Sequence, residues 1–228
     1  VVGPRLDGIH LDGLTMDPGQ GGLRVADDAW EVAVSANRCI LGPVRADLAA
    51  TPLVLRECIV DGLGRRLRPC GGDPGGTAVD AVAPVTRFGP VLHAADCTFA
   101  GAVRADAVDA LDCLFVGGVA VVQRQQGCLR HCYLGPDLTT SPAHPTTYRC
   151  GPFPRPAFVS TGFEAGGYFC LDLDPAQPLL SAASDGGEVG AYHRTRRGPR
   201  LRRLAERIEE FVPLGLRAEV AVAPWEER

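Results

Sequence analysis

Apolar residues along this chain alternate in short runs, slip phase once, and alternate again, and the slip falls immediately before a cysteine. Five residues before the cysteine stand Val34, Leu53, Leu92 and Val108; three before it stand Ala36, Leu55, Ala94, Ala110 and Leu129. Two after it stand Leu41, Val60, Phe99, Phe115 and Leu134. Period-two spacing on each side predicts a strand on each side. The phase slip predicts a bend that keeps both strands facing one interior. Bend residues are polar: Asn37-Arg38, Arg56-Glu57, Asp96, Asp112 and Arg130-His131. After the bend come Gly and another short strand, as in Val44-Arg45-Ala46 and Val103-Arg104-Ala105.

The clause recurs. Asp96-Cys97-Thr98-Phe99-Ala100-Gly101 returns as Asp112-Cys113-Leu114-Phe115-Val116-Gly117, and Cys39, Cys58 and Cys132 head similar clauses. The steps between the five cysteines are 19, 39, 16 and 19 residues, so the 39 hides either a degenerate repeat or an insertion. A period near 19 with a bend in each repeat predicts stacked repeats. The expected fold is a right-handed parallel β-helix over residues 1–150, with an insertion loop near 62–84. Ile9-His10-Leu11 and Leu23-Arg24-Val25 alternate similarly, so residues 1–31 read as earlier, irregular repeats. "CGPFPRP" (150–156) has a linker's composition. Residues 151–228 are expected to form a small α/β cap on the last repeat, since open sheet ends need covering. Its amphipathic helix runs from Pro199 to Val212, with Leu201, Leu204, Ile208 and Phe211 on one face, and Leu216–Val222 reads as a closing strand.

Composition narrows the function classes. All 23 basic residues are Arg, and the net charge is −4, which argues against general nucleic-acid binding. No run of 18 apolar residues exists, so no membrane-spanning helix is expected. The chain starts at Val1, which suggests a cut or processed start. Nine cysteines is an odd count. Together with the length it favours reduced thiols and a cytoplasmic location over a secreted disulfide framework. The cysteine ladder reads as small buried apolar side chains. No cofactor or metal is assigned. Cys128, Cys132, Cys150 and Cys170 with His131 form a weak zinc set, and a Cys128–Cys150 disulfide is a comparable alternative.

Three motifs carry candidate chemistry. Asp96 and Asp112 occupy one corner of adjacent repeats, where carboxylates one or two strand spacings apart suit Ca²⁺ or acid–base work on a sugar bond. Arg104 or Arg124 is the expected charge stabiliser there, and Trp30 and Trp225 are the only tryptophans available for sugar stacking. The competing reading is a solvated turn column, in which Asp is ordinary turn chemistry. His193 stands near Glu188 and Asp185 in a Gly-rich turn and is a candidate base; His10, His93 and His144 read as ordinary positions. "RTRRGPRLRR" (194–203) offers Arg194, Arg196, Arg197, Arg200 and Arg203 to an acidic partner, against a solvated helix face supported by an Arg202–Glu206 pair.

The later segments add a resemblance. "GCLRHCYLGP" (127–136), "TYRC" (147–150), "PAFVS" (156–160) and "SDGGEVGAYH" (184–193) precede an Arg/Leu-rich helix. This order resembles an uncharacterised family of bacterial right-handed parallel β-helix repeat proteins associated with phage-tail-like contractile systems. Its members read G-C-V-R-F-S-Y, then Y-R-C, then D-G-S-E-M-G-A-F-H, then an amphipathic helix. The likeness covers roughly residues 90–228, and the matching positions include Gly127, Cys128, Arg130, Tyr133, Tyr148, Arg149, Cys150, Asp185, Gly186, Glu188, Gly190 and His193. The stretch from Cys150 to Pro156 is shorter than in the family, and Cys132 replaces its Ser. The resemblance implies a non-enzymatic structural or accessory component with protein partners, and it carries over no catalytic residue. The alternative is a carbohydrate-active β-helix enzyme (a lyase or glycoside hydrolase) or polysaccharide-binding module using the Asp96/Asp112 face; a homo-trimeric spike is a third option.

Overall fold

The structure, a computed structural model, describes residues 8–25, 32–46, 52–62, 77–80, 89–135, 145–151, 153–174, 176–213 and 216. The chain passes repeatedly through three sheets. β1 (Gly8–Asp12) and β2 (Leu23–Val25) come first, then β3 (Ala33–Asn37), β4 (Ile40–Leu41) and β5 (Val44–Ala46). The third round is β6 (Leu53–Arg56), β7 (Ile59–Asp61) and β8 (Thr77–Asp80); the fourth is β9 (Leu92–Ala95), β10 (Thr98–Ala100) and β11 (Ala102–Ala105). β12 (Val108–Leu111), β13 (Leu114–Phe115) and β14 (Val119–Val121) follow, then β15 (Leu129–Arg130), β16 (Tyr133–Leu134) and β17 (Thr147–Tyr148).

The first sheet runs β1-β3-β6-β9-β12-β15-β17, the second β4-β7-β10-β13-β16, and the third β2-β5-β8-β11-β14. The pairing between these strands is parallel. The expectation of a mainly β chain with parallel strands holds, and β1 and β2 belong to the same sheets as the later repeats. The 39-residue step is one round carrying extra chain, because β7 pairs directly with β10.

The insertion near 62–84 needs correction. Thr77–Asp80 lies within it yet forms β8, bonded to β5 and β11. Ala78 and Val79 are buried in the core. The Gly-rich residues ahead of it concealed a strand whose apolar content is only two residues long. Residues 63–76 and 81–88 lie outside the described set.

The core fills the space between the sheets. Val34, Leu53, Leu92 and Val108, Leu41, Val60, Phe99 and Phe115, and Val44, Val79, Val103 and Val119 are all buried in one cluster. Phe99 and Phe115, matched in register, stack at 4.9 Å and 6°. In-register stacking of like side chains is what parallel pairing of a repeated clause produces.

The phase slip has a backbone cause. Arg38, Glu57, Asp96, Asp112, His131 and Arg149, each immediately before its cysteine, have φ between 51° and 54°. One left-handed residue turns the chain from the first sheet toward the second. It is costly for a non-glycine residue and mildest for Asp and Asn. Hydrogen bonds hold the corner. Asp96 N donates to Leu111 O (3.0 Å) and Asp112 N to Arg130 O (3.1 Å). The same carbonyls receive the thiols of the next corner, Cys113 Sγ on Leu111 O (3.1 Å) and Cys132 Sγ on Arg130 O (3.2 Å). Cys39, Cys58, Cys97 and Cys150 repeat this bond to the carbonyl two residues back. Cysteine suits the position because it is small, apolar and a weak donor.

Residues 153–174 and 176–192 lie against a side of the molecule rather than on the last repeat. Leu171, Leu179 and Val189 pack on Leu114 and Tyr133, and Tyr168 and Phe169 pack on Ile59 and Ala100. These are outward positions of the second sheet, so the segment is a lateral strap crossing several rounds. The helix α1 is Arg197–Glu209, two residues earlier at its start than the pattern implied and three shorter at its end. Gly198 at its start is buried against Leu180, and Pro199 falls in the first turn, where a missing N–H costs nothing. Of the expected closing strand Leu216–Val222, only Leu216 lies within the described residues.

Candidate functional site

The strap brings together two motifs that are far apart in sequence. Asp96 and Asp112 stand on the left-handed corners that follow β9 and β12, so their side chains leave the same edge of adjacent rounds. His193 arrives from the strap. Ligand atoms of Asp96, Asp112 and His193 all lie within 4.8 Å of one another. They line an open cavity of about 450 Å³ together with Ala95, Leu111, Arg194 and Arg196.

Each member is held differently. Asp112 is 2% exposed. Its Oδ1 accepts the Ser184 N–H at 2.7 Å and its Oδ2 the Ser184 hydroxyl at 2.6 Å. Gly190 N donates to Asp112 O (2.9 Å), and Ala191 N to Thr98 Oγ1 (3.0 Å). Gly190 is needed at this crossing: its φ is 103°, and a Cβ there would come within 2.6 Å of Leu114 and 2.7 Å of Thr98. The His193 ring is oriented by Nδ1, 2.8 Å from Glu188 O. A carbonyl only accepts, so Nδ1 carries a proton and Nε2 faces the carboxylates. Nε2 lies 3.5 Å from Asp185 Oδ2 and 4.0 Å from Asp96 Oδ1. Burial raises Asp96 to about 6; the charge of His193 opposes the rise and that of Asp112 adds to it.

The His193, Glu188 and Asp185 grouping therefore divides. Asp185 stays near the ring, but the Glu188 side chain turns away and is fully buried. Arg197 grips it with Nη2 on Oε2 at 2.6 Å and Nε on Oε1 at 3.1 Å, and the Thr195 hydroxyl also reaches Oε1 (2.9 Å). Arg197 Nη1 continues to Leu171 O at 3.0 Å. Arg197 is thus a structural group of the strap, which corrects its place among the partner-binding arginines. Arg194 pairs with Glu57 (2.9 Å) and Arg196 lies 4.0 Å from Asp185, both at the cavity rim. Arg200 and Arg203 are exposed on α1, away from the cavity lining.

Neither Arg104 nor Arg124 lines this cavity. Arg104 is on β11 in the third sheet, and Arg124 borders a separate hollow with Gln125, Pro145 and Thr146. Trp30, Trp225 and His144 fall outside the described residues. The zinc set disperses: Cys132 and Cys150 follow each other in the corner column, Cys128 directly precedes β15, and Cys170 is in the strap. No disulfide joins the described cysteines. Burial pushes the Cys170 thiol up to about 11, as expected of an unreactive thiol.

Ser184 and Thr98 are site-building residues that the sequence does not single out, and Glu57 and Gly190 stand out in it only as a bend residue and a matching position. Their signal lay in the outward positions of the second sheet. Ile40, Ile59, Thr98, Leu114 and Tyr133 are mostly apolar, whereas the first sheet's outward positions include Ser35, His93 and Asp109. An apolar outward row calls for a cover. A scan of family models, curated proteins and solved structures returns no match to this chain.

Proposed function

We propose that the three sheets wind as a right-handed parallel β-helix, and that the protein is a non-enzymatic scaffold presenting α1 to a protein partner. The winding is supported by the strand order, which returns each round to the same three sheets in the same sequence. Right-handed crossover is the strong preference for parallel connections.

The observation that carries the interaction reading is the exposure of α1. Leu204 on α1 is 47% exposed, and Phe211, two residues past its end, is 82% exposed. At helical spacing Leu204 shares a face with Arg200 and Arg207, and Phe211 follows that face beyond the helix end. A 13-residue helix is marginal alone, and an apolar row flanked by guanidinium groups suits an apolar groove with an acidic rim. The resemblance to proteins of phage-tail-like contractile systems suggests sheath, tube or baseplate components as that partner.

The carbohydrate-active alternative has less support. Asp112 is buried as an anchor of the strap, bonded to Ser184, and the described cavity lining contains no Trp, Tyr or Phe for sugar stacking. The test is affinity purification from the native host with the wild type and with the double variant Leu204→Asp/Phe211→Asp. Enrichment of tail-assembly proteins by the wild type and their loss with the variant is the expected result. Identical recoveries sink the α1 assignment. Retention on an acidic polysaccharide, lost in Asp96→Ala, would favour the alternative.

A further inference from the structure

We propose that Asp96, Asp112 and His193 form a binding site for a divalent first-row transition cation. This goes beyond the scaffold reading and does not depend on it.

The donor set is chemically suited to such an ion. One imidazole and two carboxylates match Mn²⁺, Fe²⁺ or Zn²⁺ better than the all-oxygen shell of Ca²⁺. Spacing agrees as well. Ligand atoms about 2.0–2.2 Å from a cation lie roughly 3–4 Å from one another, and the three donors here are within 4.8 Å, with Nε2 of His193 4.0 Å from Asp96. At 4.0 Å, His193 Nε2 and Asp96 Oδ1 are too far apart to hydrogen-bond directly.

The surroundings are arranged as an outer shell. A metal-binding His usually donates its other N–H to a carbonyl or carboxylate, and His193 Nδ1 meets Glu188 O. The Glu188 side chain is locked by Arg197 and Thr195, which fixes the turn carrying that carbonyl. Ser184 fixes the Asp112 carboxylate while leaving further lone pairs on both oxygens.

Charge supplies an independent argument. Glu57, Asp96, Asp112 and Asp185 place four carboxylates around the cavity, and Arg194 and Arg196 supply two guanidinium groups. The carboxylates outnumber the guanidinium groups, and a divalent cation offsets that excess of negative charge.

The experiment uses the full chain, stripped with chelator and titrated with Mn²⁺, following the loss of the free-ion signal by electron paramagnetic resonance. Mn²⁺ is chosen because it prefers oxygen and imidazole over the nine thiols. The expected result is one equivalent bound, with affinity reduced at least tenfold in His193→Gln and in Asp96→Asn. These variants are preferred to Asp112 substitutions, since Asp112 also anchors the strap; circular dichroism checks that each is folded. Binding unchanged in both folded variants, or no binding by the wild type, overturns the proposal. A Co²⁺ spectrum dominated by thiolate charge transfer overturns it too, because it would place the metal on cysteine.

Discussion

The inner and outer sides of the same corner are built by opposite rules. Inside, Cys39, Cys58, Cys97, Cys113, Cys132 and Cys150 repeat one side chain with one hydrogen bond. Outside, the bend residues directly before them are Arg38, Glu57, Asp96, Asp112, His131 and Arg149. The inner side must match its neighbours above and below, so it is repetitive. The outer side only has to tolerate a left-handed backbone, so it is free to vary, and whatever covers it decides its chemistry. At Arg38 nothing described covers it, and an exposed pair with Asp12 at 2.8 Å is the result. At Asp96 and Asp112 the strap covers it, and a cavity with a positioned imidazole results.

The largest expected effect comes from attacking the inner side. Phe99→Ala removes a fully buried ring stacked on Phe115. A loss of about 3–5 kcal/mol is expected from urea unfolding, with all sheets melting together because each round rests on the next. Loss of only the strap signal in this variant would break the comparison, since the interior would then be the less cooperative part.

The outer side should fail separately. Arg197→Met leaves Glu188, which is 0% exposed, without its cation. Removing one partner of a buried pair costs about 3 kcal/mol or more, and here it should be charged to the strap. Limited proteolysis should cut within 153–192 while far-ultraviolet dichroism keeps its β signal. Glu188→Met added to Arg197→Met should restore much of the protection, because no buried charge is left unpaired. If the single variant unfolds the whole chain, strap and sheets are one cooperative unit.

The same contrast explains what could be read in advance. The sheets were legible because repetition amplifies a weak signal: one alternating run is ambiguous, but five aligned on a cysteine are not. β8 was lost because the extra chain before it broke that alignment. The corner acids Asp96 and Asp112 were visible as a column, and His193 as a residue in a Gly-rich turn. Their meeting was not visible, because 97 residues separate Asp96 from His193 and the strap carries no repeat. Glu188, by contrast, looked like a member of the site because it is near in sequence. The buried partner Arg197 takes it instead, and spacing alone could not decide between the two.

The finest test of the outer corner is its response to pH in chelated protein. Asp96 faces His193 and Asp112, and Arg194 lies 3.9 Å away with Glu57 beside it. Its carboxyl stands at about 6 in the fold, against an ordinary 3.8. A raised carboxyl holds its proton more tightly folded than unfolded. Its contribution is therefore fully present below about pH 4 and is lost as pH rises through about 6. A shift of that size corresponds to roughly 3 kcal/mol at most, and solvent in the open cavity should reduce it to about 1–2 kcal/mol. Asp96→Asn carries no such proton, so comparison with it cancels the titrating groups that are not coupled to this carboxyl. The stability of the wild type relative to Asp96→Asn should fall by about 1–2 kcal/mol between pH 4 and pH 7. Adding Mn²⁺ at pH 7 should recover it in the wild type alone, since a bound cation replaces the proton as the counter-charge. A difference that stays flat with pH would mean that water reaches Asp96 freely, and that this corner is no more specialised than the exposed one at Arg38.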